Sequence, residues 1–98
     1  MRREPYSVQI TRSFEKELLK LTRQHSEVKG HYNTVINVLK KDPFNHSRNY
    51  PIAKLEGVPA GEGQYRIRYE HFRFRYDIVG KGVYLKACSL RSEATYRR

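Results

Sequence analysis

The sequence has no tryptophan, one cysteine and one methionine in 98 residues, and ten acidic side chains against twenty basic ones. Each shortage excludes something. A lone Cys88 can form no internal disulfide and no cysteine-based metal cage, which suits a reducing compartment. No apolar run approaches the roughly 20 residues that a membrane-spanning helix needs. The opening Met1-Arg2-Arg3-Glu4-Pro5 leads into no apolar h-region, so the expectation is a cytoplasmic protein with no membrane partner. P-loops, nucleophile elbows and dinucleotide fingerprints are all missing. No two of the four histidines stand at metal-ligand spacing from each other, and neither a metal nor another cofactor is expected.

What is there is compact and positive. A chain of 98 residues buries roughly two thirds of its unfolded surface, enough for one modest core, and residues 1–98 read as a single domain. Its 38% apolar content argues for a folded globule rather than a disordered tail. The formal charge of +10 creates a field that attracts polyanions, nucleic acid first among them. Residues 64–98 carry nine basic and three acidic side chains, so the C-terminal third is the most positive part.

Periodicity assigns the elements. Tyr6, Val8 and Ile10 alternate with polar residues as a short strand. Thr11 or Ser13 can cap the helix that follows, with Glu15 and Glu17 near its positive end. Phe14, Leu18, Leu21, His25 and Val28 form its apolar stripe, Lys16, Lys20 and Arg23 face water, and Gly30 is expected to end it. Tyr32, Val35, Ile36 and Leu39 predict a second helix, closed by Asp42-Pro43. Residues 43–63, with three of the four prolines and half of the glycines, read as a connecting loop in which residues 52–55 could serve as an anchor. Strands are expected over 64–69, 72–79 and 83–90, the last two joined by Gly80-Lys81-Gly82. The order β-α-α-β-β-β implies an α+β fold: a helical hairpin on one face of a small, mainly antiparallel sheet, the other face open.

The informative stretch runs from Gln64 to Tyr76. Alternation sends Tyr65, Ile67, Tyr69, Phe72, Phe74 and Tyr76 to the core and Arg66, Arg68, Arg73 and Arg75 to the opposite face. If Glu70-His71 form a two-residue turn, Arg68 lies opposite Arg73 and Arg66 opposite Arg75. Any one of these arginines would pass as an ordinary solvated residue, but four together are another matter. Like charges directly opposite on a sheet repel, and an anion is the simplest reason to place them there. Phosphate suits the gap, because guanidinium is a planar fork of donors that stays charged. Lys86 on the last strand and Arg97-Arg98 in the tail extend the positive surface toward RNA, and Tyr96, beside them, could stack a base. His25 reads as a partly buried helix residue and His31 and His46 as loop or cap positions. His71, at the hairpin tip beside the arginines, is a turn residue with a second possible use as acid or base.

The sequence resembles the RelE/ParE toxins of bacterial and archaeal toxin–antitoxin pairs. The matching stretches are Phe14-Glu15-Lys16-Glu17-Leu18, Asp42-Pro43-Phe44, Lys54-Leu55-Glu56-Gly57, Tyr65-Arg66-Ile67-Arg68, Phe72-Arg73-Phe74-Arg75-Tyr76 and Arg91 to Tyr96, in an order that covers nearly the whole chain. The resemblance implies a microbial-RNase-like fold and a ribosome-dependent, metal-independent endoribonuclease that cuts mRNA in the ribosomal A site by attack of a ribose 2′-hydroxyl on the adjacent phosphate. It also implies that Arg66, Arg68 and Arg73 face that phosphate, Arg91 stabilises charge and Tyr96 stacks on a base, and that a cognate acidic antitoxin neutralises the protein. RelE has lysines where this chain has Arg66 and Arg68. Arginine is a poor proton acceptor, so His71, Glu70 and Tyr96 remain as candidates for proton transfer, alongside activation by electrostatics alone. The alternatives within the same fold are a ParE-like inhibitor of DNA gyrase and a non-catalytic RNA-binding relic.

Overall fold

A computed structural model describes residues 5–91. The elements run β1 (Ser7–Ile10), α1 (Arg12–Gln24), α2 (Val28–Lys41), β2 (Ile52–Lys54), β3 (Tyr65–Tyr69), β4 (Phe72–Val79) and β5 (Gly82–Leu90). The strands form one sheet in the order β1-β5-β4-β3-β2, in which β1 runs parallel to β5 and the other pairs are antiparallel. The expected α+β architecture is therefore present, with one strand more than the sequence pattern gave. The anchor at residues 52–55 is a three-residue edge strand, Ile52–Lys54, paired with Tyr65–Ile67. A strand that short carries almost no periodicity, and its pairing with β3 is what defines it.

Thr11 caps α1: its hydroxyl accepts the Phe14 N–H at 3.1 Å. The joint between the helices differs from expectation. α1 ends at Gln24, His25 leaves helical geometry while still donating to the Leu21 carbonyl, and α2 begins at Val28, so Gly30 lies inside the first turn of α2. His25 breaks the helix where its ring meets Phe72 edge-on at 5.8 Å, a tertiary contact that local sequence does not announce. His31 is likewise a helix residue rather than a loop or cap, stacked on Tyr69 at 6.1 Å.

Both helices lie on one face of the sheet. Phe14, Val28, Val35, Val38 and Leu39 meet Ile67, Phe72, Phe74, Tyr76, Val83, Leu85 and Cys88 in a single core. Every second residue of β3 and β4 enters it, which is the alternation the sequence showed. Two polar contacts lock this layer. The buried Tyr76 hydroxyl donates to the Pro43 carbonyl at 2.7 Å, tying β4 to the end of α2, and burial pushes its pKa far above the ordinary phenol value. Tyr76→Phe leaves that carbonyl without its donor, and a loss of about 1–2 kcal/mol is expected in urea unfolding.

Glu17 has a different task from the one its position near the helix start suggested. Pairing of β1 with β5 ends at Ile10 opposite Leu85, where the chain turns into α1. Farther along β5, the Glu17 carboxylate accepts the Cys88 N–H at 2.8 Å and takes the place of a strand partner. Burial, with the nearby Glu17 charge, pushes the Cys88 thiol up to about 12 from 9.0. The thiol thus stays protonated, and Cys88 is expected to resist alkylation at neutral pH until the protein is denatured. Because the folded pKa is the raised one, this group leaves stability untouched below about pH 9 and lowers it progressively from pH 9 to 12, readable as falling urea midpoints. No helix among the described residues is long and apolar enough to cross a membrane.

Candidate nucleic-acid interface

The face of the sheet turned away from the helices carries the candidate site. Glu70 and His71 form a two-residue turn, with Glu70 at φ +57, and this turn sets the register. Arg68 pairs with Arg73 and Arg66 with Arg75, as alternation required. On the other side of β4, Arg73 lies opposite Ser89 and Arg75 opposite Ala87.

Arg66, Arg68, Arg73 and Arg91 share one electrostatic neighbourhood. The Arg66 guanidinium loses its proton more readily than an ordinary arginine, first through desolvation and then through repulsion from Arg68 and Arg73. Arg91 shifts the same way, by desolvation and by repulsion from Arg68, Arg73 and Arg66. Its backbone N–H donates to the His71 carbonyl at 2.7 Å, which fastens the chain after β5 to the β3–β4 turn and brings this fourth guanidinium to the group. Both Arg66 and Arg91 remain cationic at physiological pH. The Arg66 Nε is buried and has no hydrogen-bond partner among the described residues. No carboxylate of a described residue lies within ion-pair distance of Arg66 or Arg68. A buried donor beside concentrated positive charge is the complement of an oxyanion.

The remaining candidates have distinct places. His71 is exposed at the turn, and its carbonyl rather than its ring makes the contact just described. The Glu70 carboxylate lies 3.6 Å from His31 Nε2 on α2, turned toward the helical layer, which removes it from the reach a base on the arginine face would need. Lys86 is half-buried at the irregularity where the β4–β5 register shifts at Arg75/Tyr76. Tyr96, Arg97 and Arg98 lie outside the described residues. No cluster of metal-ligating side chains gathers among the described residues.

Arg75 is drawn away from the other guanidiniums. Its Nε donates to the Gly63 carbonyl at 3.1 Å and an Nη to the Glu62 carbonyl at 2.9 Å. Two positions along β4, the buried Asp77 accepts the N–H groups of Gly63 at 2.8 Å and Gln64 at 3.0 Å. The loop before β3 is thereby fastened across one end of the open face. Sequence reasoning missed this, and the only trace of it is an aspartate in a strand face otherwise made of arginines, preceded by Gly61-Glu62-Gly63.

No family model and no curated protein matches the sequence. Solved structures do. A chain of the toxin–antitoxin complex RelBE2 from Mycobacterium tuberculosis superposes with a TM-score of 0.67 at 20% identity, covering 89% of this chain and 99% of that one. The archaeal RelE-RelB complex from Pyrococcus horikoshii gives 0.62 at 23% identity over 91% of this chain and 98% of that one. The RelB-RelE antitoxin–toxin complex from Methanococcus jannaschii gives 0.61 at 17% identity, over 89% and 93%. With two helices on one face of a five-stranded sheet and this likeness across most of its length, the chain has a RelE-like fold.

Proposed function

We propose that this protein is the toxin of a toxin–antitoxin pair and acts as a ribosome-dependent endoribonuclease on mRNA in the A site. The observation that carries the reading is the enforced juxtaposition of Arg66, Arg68 and Arg73, joined by Arg91, on the open face of a RelE-like fold. Attack of a ribose 2′-oxygen on the adjacent phosphorus forms one P–O bond as the bond to the 5′-oxygen breaks. The 2′-hydroxyl gives up a proton, the leaving oxygen gains one, and a 2′,3′-cyclic phosphate and a 5′-hydroxyl result. Negative charge builds on the non-bridging oxygens between those states, and fixed guanidinium donors stabilise it most where it is greatest. Four arginines gathered before substrate arrives have already met their mutual repulsion, so the phosphate relieves strain on binding.

Arginine serves this electrostatic part well and proton transfer badly. Of the groups weighed for the latter, Glu70 is engaged with His31, which leaves His71 at the rim and Tyr96 in the tail. The partner chemistry follows from the same surface: an antitoxin with an acidic segment that folds over the basic face, in the cytoplasm where the message is. The three similar structures are complexes with RelB, which supports an antitoxin as partner.

The test is a translation extract programmed with a defined message, with breaks mapped by primer extension. Breaks at discrete positions in translated regions, absent with Arg73→Ala, are expected. Intact message at every protein concentration, with gyrase supercoiling inhibited instead, would replace this reading with the ParE-like one.

A further inference from the structure

We infer that Arg75 and Asp77 are positioning residues that clamp the loop before β3 into an end wall for the arginine face, and that Arg75 itself makes no contact with RNA phosphate. The inference rests on the reading of that face as an RNA site. It starts from donors already committed. The side-on grip of an arginine on phosphate uses Nε and one Nη, and Arg75 spends that edge of its guanidinium on the carbonyls of Gly63 and Glu62, at 3.1 and 2.9 Å. Asp77 completes the clamp from the same strand face with its two oxygens on the Gly63 and Gln64 amides. Side chains two residues apart on β4 thus hold both the carbonyl and the amide side of one loop peptide segment.

The contact is close as well as polar. Gly63 is buried at φ +83, and a Cβ there would stand 3.0 Å from Arg75 Cβ and 3.3 Å from Arg75 Nε. Only glycine lets the backbone lie this near the sheet in that conformation. The loop is laced behind the contact, by Gln64 Nε2 to the Val58 carbonyl at 2.9 Å and by the Leu55 N–H to the Gln64 carbonyl at 2.7 Å.

The consequence is directional. The open face of β4 is bounded by the Glu70-His71 turn beyond Arg73 and by the clamped loop over Arg75 and Asp77. Arg73 and Arg75 are two residues apart, about 7 Å along a strand. The clamped loop thus blocks one end of the path along β4, which favours an RNA strand that crosses β3, β4 and β5 and presents one linkage to Arg66, Arg68 and Arg73.

The experiment combines amide exchange by NMR with the salt dependence of binding to a 2′-O-methylated single-stranded RNA 12-mer. Arg75→Ala and Arg75→Lys are each expected to speed exchange at Gly63 and Gln64 at least tenfold, since the single nitrogen of a lysine does not reproduce the planar two-nitrogen fork that holds both carbonyls. The slope of log affinity against log salt is expected to stay at the wild-type value in Arg75→Ala and to fall by about 0.7 in Arg73→Ala, the change for one lost phosphate contact on a single strand. In the translation extract, Arg75→Lys is expected to cut at additional positions. Unchanged exchange in the Arg75 variants, or a slope reduced by about 0.7 in Arg75→Ala, would overturn the inference. If wild-type protein binds no RNA, the reading of the face as an RNA site fails, while amide exchange still decides whether the clamp exists.

Discussion

Replacing Arg73 by alanine is expected to slow message cleavage by about 10²- to 10³-fold, the usual cost of removing one fixed donor from a developing oxyanion, or about 2.7–4 kcal/mol of barrier. Arg73 stands at the centre of the group, on β4 opposite Arg68 on β3 and Ser89 on β5. Its loss removes a donor and also one of the charges that raise the local potential at Arg66 and Arg91. The same substitution relieves repulsion across β3 and β4, so the melting temperature is expected to hold or rise. That opposition separates function from stability: a side chain kept only for the fold would lose both together. Single-turnover cleavage in the translation extract, beside a thermal melt of the same preparation, gives the two numbers.

Phe74→Ala is expected to have the largest structural effect. Phe74 is fully buried on the helix side of β4, flanked in sequence by Arg73 and Arg75 and with its ring 6.4 Å from that of Phe14 on α1. Truncating a buried phenylalanine costs about 3–5 kcal/mol, from lost transfer energy and the cavity left behind. A domain of this size has about 5–15 kcal/mol in all, so the variant is expected to be partly unfolded at 37 °C and to show a strongly lowered urea midpoint with an unchanged m value. A midpoint within a few tenths molar of wild type would mean that β4 does not form the sheet's centre.

Alternation made β3 and β4 the most legible part of the sequence. Once Glu70-His71 is taken as a two-residue turn, side-chain period alone sets both the core face and the arginine pairing, and the register agrees residue by residue. Thr11 and Asp42-Pro43 were equally readable, because caps and prolines act within a few residues. The joint at His25-Ser26-Glu27 was not: it contains neither glycine nor proline, and the nearby Gly30 offered a false stop. β2 and the Glu17–Cys88 contact depend on partners far along the chain, and so does the Arg75–Asp77 clamp, whose hydrogen bonds span 12 to 14 residues. The site divided along the same line. Arg66, Arg68 and Arg73 share the open face as strand alternation required, whereas the backbone bond that brings Arg91 beside them and the commitments of Arg75 and Glu70 needed the folded chain.

The group of guanidiniums can be watched directly through their Nε–Hε resonances. In a titration of ¹⁵N-labelled protein with a short 2′-O-methylated RNA, the signals of Arg66, Arg68, Arg73 and Arg91 are expected to shift together along one binding curve. Shifts confined to Arg12, Arg23 and Arg48, with those four unmoved at saturation, would contradict the account.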